Sequence, residues 1–196
     1  MTFLGIVGSN ADYSTNRLLL QFMRQQFQKD AQIEICEIKD LPAFNEPADR
    51  TAPAAIQAVI DQIQAADGVI ISTPEYDHSI PAALKSLLEW LAYTSTVLYN
   101  KPVMIVGASR GTLGTARAQA HLRQILDAPE IGARVLPHAE FLLGHSVQAF
   151  DDQGTLTDSA KVAELTQDWQ AFQGFVQSVN QADISGQPAQ VWEENA

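Results

Sequence analysis

The chain has 196 residues, 46% of them hydrophobic and 18% charged. This composition forms one globular domain with its own core and excludes disordered, fibrous and membrane-embedded classes. Its 12 Lys and Arg against 23 Asp and Glu give a formal charge of -11, and with no basic cluster to override it, nucleic acid and anionic membrane surfaces are excluded as partners.

The first predicted element is a strand over Phe3–Val7, followed by a helical stripe through Leu18, Leu19, Phe22, Met23, Gln26 and Phe27. Ile33–Ile38, with Glu34 and Glu37 between apolar positions, reads as an edge strand. The loop after it carries Pro42, Pro47 and Pro53, and Ile56, Val59, Ile60 and Ile63 then trace a second helix. Gly68–Ser72 and Pro102–Val106 are Val/Ile runs, read as strands buried on both faces. Between them Ile80, Leu84, Leu87, Leu88 and Leu91 form a third helical stripe, which serves equally as a core face or, with Trp90 and Tyr93, as a subunit contact. Leu113–Leu126 is a fourth helix. A fifth strand is expected between Arg134 and Leu143, and a last helix through Val162, Leu165, Trp169, Phe172, Val176 and Val179. Alternating strands and helices with right-handed crossovers predict an α/β, doubly wound, five-stranded parallel sheet of order 2-1-3-4-5 with helices on both faces. Residues 1–180 form the domain, and 181–196 a tail that is frayed or lies on a neighbouring subunit. Cys36 is the single cysteine, so an intrachain disulfide and a CxxC pair are absent and Cys36 reads as a core residue. With no basic leader and no run of membrane-spanning length, the expected location is the cytoplasm.

In an open α/β sheet, ligands bind beyond the carboxyl ends of the strands, and three loops there are unusual. Gly8–Asn16 holds Ser9, Ser14, Thr15 and Asn16 just before the first helix. One such residue is an ordinary N-cap, but four donors suit an anion at a helix N-terminus. The loop is neither a Walker loop nor GxGxxG. Thr73–Pro81 is stiffened by Pro74 and Pro81, with Ser79 placed to cap the third helix. Gly107–Gly114 has three glycines and permits close approach of backbone to a ligand.

Pro74-Glu75-Tyr76-Asp77-His78-Ser79-Ile80-Pro81, followed by Leu84-Lys85 and Glu89-Trp90, resembles the PEYN-x-S-x-P loop and LK…DW helix of the NADPH-dependent FMN reductase family. These are flavodoxin-like flavin, quinone, azo-dye and chromate reductases. Gly8-Ser9 with Ser14 and Asn16 resembles the family's phosphate loop, and Gly107–Gly114 its flavin-edge loop; the likeness spans residues 2–180. It implies that Ser9, Ser14, Thr15 and Asn16 hold the FMN phosphate. Pro74, Glu75, Tyr76 and Asp77 would line the isoalloxazine, and Ser109, Arg110 and Gly111 would close its other side. Two departures stand out: Ala11-Asp12 replaces an Arg common in the family's phosphate loop, and Asp77 replaces the usual Asn, where it lowers the flavin potential or points to solvent.

The implied activity is FMN-dependent NAD(P)H oxidation, with hydride passing through the flavin N5 to a quinone, free flavin, azo compound or metal oxyanion. It requires no protein nucleophile and no metal. His78 alone of the four histidines falls near the predicted site, and Arg110 and Arg117 are candidate ligands for a nicotinamide 2′-phosphate. NADH and NADPH stay open as donors, with the sparse Arg content favouring NADH. The resemblance also implies a homodimer or homotetramer. A flavodoxin-type electron carrier is the alternative. A receiver domain is excluded, because Gly8-Ser9 and Ser72-Thr73 stand where its acidic residues belong.

Overall fold

A computed structural model describes residues 1–182. Its elements are β1 (Thr2–Val7), α1 (Thr15–Gln26), β2 (Gln32–Glu37), α2 (Ala54–Ala65), β3 (Gly68–Ser72), α3 (Ala82–Thr94), β4 (Pro102–Ala108), α4 (Ala116–Leu126), β5 (Arg134–Val135), β6 (Phe141–Leu143) and α5 (Ser159–Gln181). The sheet runs β2-β1-β3-β4-β5, with β6 also on β4, and each pairing is parallel. The strand order is therefore the one expected. Residues 183–196, which carry Val191-Trp192 of the predicted tail, lie outside the described residues.

The alternation of side chains along the strands divides the core in two. Leu4 and Ile6 of β1, Val69 and Ile71 of β3, and Val103 and Ile105 of β4 face α2, α3 and α4. Phe3 and Val7, Ile70, and Met104 and Val106 face α1 and α5, where Trp169 stacks on Phe27 and meets Phe3 edge-on. Burial on both sides is why these runs are continuously apolar. Each fully buried side chain of this size contributes about 1.5–3 kcal/mol.

Four local expectations change. The fifth strand is two short ones, β5 on Pro102–Val103 and β6 on Val106–Ala108 of the same neighbour. Pro137, which has no N–H, and His138 at φ 62 break the ladder between them. The Arg123 guanidinium fills the break by donating to the carbonyls of Leu136 and Ala139. Leu113 lies ahead of α4 and is 51% exposed. Gln26 is exposed, and Leu20 takes its place in the α1 stripe. Finally, the stripe from Ile80 to Leu91 packs in the core, and Trp90 donates its indole N–H to Pro42 O at 2.9 Å.

Candidate cofactor site

The three predicted loops meet at the carboxyl edge of β1, β3 and β4 around a cleft of about 610 Å³, within the range of small-molecule sites. Ser9, Ser14, Thr15, Asn16, Pro74, Glu75, Tyr76, Ser109, Arg110 and Gly111 line it. Asp77 does not; it is exposed.

Asn16 holds the frame together. It is 2% exposed; its Nδ2 donates to Ala108 O, and its Oδ1 accepts from Ala108 N–H and Ser72 Oγ, each at 2.9 Å. One side chain thus joins the start of α1 to the ends of β3 and β4, and what it can offer an anion reduces chiefly to its backbone N–H. That N–H and the one of Thr15 open the first turn of α1, where no intrahelical acceptor exists. Ser14 caps the helix by accepting the Arg17 N–H at 3.3 Å, and Ser9 Oγ accepts the Ala11 N–H at 3.2 Å. Both hydroxyl oxygens therefore take their local bond as acceptors, which suits their protons to an oxyanion. Behind the loop, Arg17 chelates Glu37 at 2.5 and 2.8 Å and donates to the carbonyls of Asp12 and Ala11; the Glu37 bond holds the guanidinium pKa above its ordinary value. Asp12 pairs with Lys39, which draws its pKa below the usual carboxylate value. Its side chain is 89% exposed and does not line the cleft.

The second loop closes as a two-residue hairpin. Tyr76 and Ser79 exchange backbone bonds at 3.0 and 2.9 Å, and Asp77 and His78 between them have φ 48 and 66, a type I′ turn built without glycine. Tyr76 is 46% exposed at the cleft mouth, with its hydroxyl 3.5 Å from Ser9 Oγ. Ser79 was expected to cap α3; instead Pro81 occupies the cap position, and Ser79 Oγ lies 2.6 Å from His121 Nδ1 on α4.

Glu75 makes a contact that its own loop does not foretell. Thr115, the N-cap of α4, is left-handed at φ 77 and gives the first-turn N–H groups that follow it no side-chain bond; its hydroxyl instead meets Gln119 Nε2 at 3.1 Å. Glu75 caps the helix from across the cleft. Its Oε2 accepts from Arg117 N–H at 3.0 Å and Ala118 N–H at 3.2 Å, and its Oε1 lies 3.5 Å from the Arg117 guanidinium. The third loop depends on a close approach at Gly107, where a Cβ would fall 1.8 Å from Thr115 Oγ1. It also leans on a fourth segment that sequence reasoning missed. Ser109 N–H donates to Leu143 O, the N–H groups of His145 and Ser146 donate to Gly111 O and Ser109 O, and Ser146 Oγ meets Thr15 Oγ1 at 2.9 Å. Tyr13, Leu113 and Arg117 also line the cleft; an exposed aromatic ahead of the helix was the available signal for Tyr13.

The family model for NADPH-dependent FMN reductases matches residues 1–148. The chain belongs to that family. Within the NADPH-dependent FMN reductase family it is 56% identical over 179 residues to the NADH:(hydroxy)cinnamate reductase subunit CrdA of Vibrio ruber, covering 91% of this chain and 89% of that protein. It is 43% identical over 187 residues to the NADH-dependent flavin reductase subunit 2 of Lactobacillus johnsonii, covering 93% and 99%. Among solved structures, FerB, a flavoenzyme NAD(P)H:(acceptor) oxidoreductase from Paracoccus denitrificans, superposes with a TM-score of 0.71 at 27% identity, over 91% of this chain and 94% of that one.

Proposed function

We propose that this protein holds FMN in the cleft and uses it to reduce a small acceptor at the expense of NADH. Quinones, free flavins, azo compounds and metal oxyanions all fit an acceptor that need only reach an open ring edge. The observation that carries the assignment is the pairing of donors at one end of the cleft. Ser9, Ser14, Thr15 and Asn16 line the cleft together at the N-terminus of α1, and their hydroxyls and free first-turn N–H groups make a donor set that suits a phosphomonoester. FMN, when held there, would supply the hydride and electron chemistry. The protein's part is orientation. Pro74, Glu75 and Tyr76 form one wall, Ser109, Arg110 and Gly111 the other, and Asp77 holds the turn that presents Tyr76.

NADH rather than NADPH is favoured because cations are sparse at the cleft: Glu75 pairs with Arg117, which leaves Arg110 as the single unpaired cleft arginine among the described residues. Membership of a reductase family sets aside the flavodoxin-type carrier. We further propose a cytoplasmic homodimer or homotetramer. The apolar groove of about 500 Å³ that includes Phe44, Leu88, Ala92, Ile125 and Ile131 supports a subunit contact, in place of the Ile80–Leu91 stripe that the core consumes.

The phosphate assignment is tested by comparing FMN with riboflavin. Loss of one hydrogen bond to a charged group costs about 1.5–3 kcal/mol, or roughly 10- to 100-fold in affinity. Ser9→Ala is therefore expected to weaken FMN by that factor and leave riboflavin unchanged. Equal weakening of both would remove Ser9 from the phosphate.

A further inference from the structure

The sequence has twelve Lys and Arg, and nearly all are committed. Five stand in ion pairs, Lys101, Arg123 and Arg134 donate to carbonyl or amide oxygens, and Arg50 lies over Tyr93. Among the described residues this leaves Arg24, Lys29 and Arg110 without a polar or ring partner, and Arg110 alone of these lines the cleft. An exposed guanidinium left unpaired among 23 acids stands where it can meet an incoming anion.

A second observation concerns the same mouth. Of the exposed large hydrophobic side chains among the described residues, Tyr13 (59%), Tyr76 (46%) and Leu113 (51%) all line this cleft. Apolar exposure gathered at one opening marks a contact surface, and two tyrosines there offer flat faces to a flat ligand. The demands of the FMN phosphate are met at the α1 end by Ser9, Ser14 and two backbone N–H groups, so the Arg110 charge is not needed for the phosphate, although its stem forms part of the flavin wall.

We propose that the acceptor class this site selects is a planar aromatic bearing an anionic substituent, with the anion on Arg110 and the ring against Tyr76 and Tyr13. The proposal rests on the FMN reading, because the bound flavin would form the floor on which the ring lies.

The test separates binding from turnover. FMN-loaded protein is titrated calorimetrically with naphthalene-2-sulfonate and its uncharged counterpart naphthalene-2-sulfonamide, neither of which is reduced. A charge-assisted contact at an exposed guanidinium predicts that the sulfonate binds about tenfold more tightly. Arg110→Gln removes that difference by weakening the sulfonate alone, and Tyr76→Ala weakens both probes together. Equal binding of the two probes to the wild type overturns the proposal, as does a sulfonate affinity unchanged by Arg110→Gln. A tenfold loss of FMN affinity in Arg110→Gln would also overturn it, by assigning that side chain to the cofactor. Failure of the FMN reading shows separately, as wild-type protein that retains no flavin.

Discussion

Replacing Glu75 with Ala should loosen two walls of the cleft at once. The carboxylate accepts two N–H bonds from the first turn of α4, at 3.0 and 3.2 Å, and sits 3.5 Å from the Arg117 guanidinium with its own side chain 12% exposed. Among the described residues Glu75 is the side chain seen to cap this helix, since the Thr115 hydroxyl is engaged with Gln119. Loss of an N-cap costs about 0.5–2 kcal/mol, and a half-screened ion pair adds at most about 1. A total of about 2 kcal/mol is expected, equivalent to a Tm drop of roughly 4–8 °C for a chain of this size. Glu75→Gln keeps one acceptor and should lose about half as much. Urea unfolding of the flavin-free protein, followed by far-UV circular dichroism, measures both variants. A Glu75→Ala midpoint within about 0.5 kcal/mol of wild type would show that α4 does not depend on a cap from the second loop.

Other expectations follow from single contacts. Gly107→Ala drives a Cβ to 1.8 Å from Thr115 Oγ1 and 2.8 Å from Thr73 O and should destabilise the fold by about 3 kcal/mol or more. At Gly111 a Cβ meets nothing within 4 Å, so Gly111→Ala should leave the flavin-free protein at wild-type stability and weaken FMN; denaturation and flavin titration on the pair check this. His78 holds φ 66 at the exposed second corner of the I′ turn, and His78→Gly should raise stability by about 0.5–1 kcal/mol as relief of strain outweighs the entropy of glycine. A destabilised His78→Gly would mean that the imidazole has a contact of its own. The Cys36 thiol is 5% exposed and pushed up to about 11 by burial and by Glu37. At pH 8 roughly one part in a thousand is thiolate, so iodoacetamide should label the native protein more than about 100-fold more slowly than the protein in urea. Comparable rates would contradict the burial.

The sheet was legible because Val/Ile runs buried on both faces and stripes at helical spacing are local signals. The three ligand loops followed from the rule that sites lie beyond strand ends. What escaped was the choice of partner. Nothing near Glu75 announces a helix forty-two residues later, and the Ser79–His121 contact spans an equal distance. Asn16 looks the same in sequence as a phosphate donor and as the residue that fastens Ala108 and Ser72. The Arg134–Leu143 strand was placed correctly but not its interruption at Pro137, where Arg123 arrives from α4 to serve the carbonyls of Leu136 and Ala139. Gly144–Ser146 lies outside every predicted element, and its role in bracing the third loop comes wholly from tertiary bonds.

The most direct test of the central claim is an anaerobic absorption spectrum of protein loaded with FMN, freed of excess, and mixed with NADH or NADPH in the same cuvette. The predicted result is a flavin spectrum that stays with the protein, bleaches with NADH in preference to NADPH, and returns on addition of a quinone. Flavin bands that persist unbleached with both nucleotides would contradict the account.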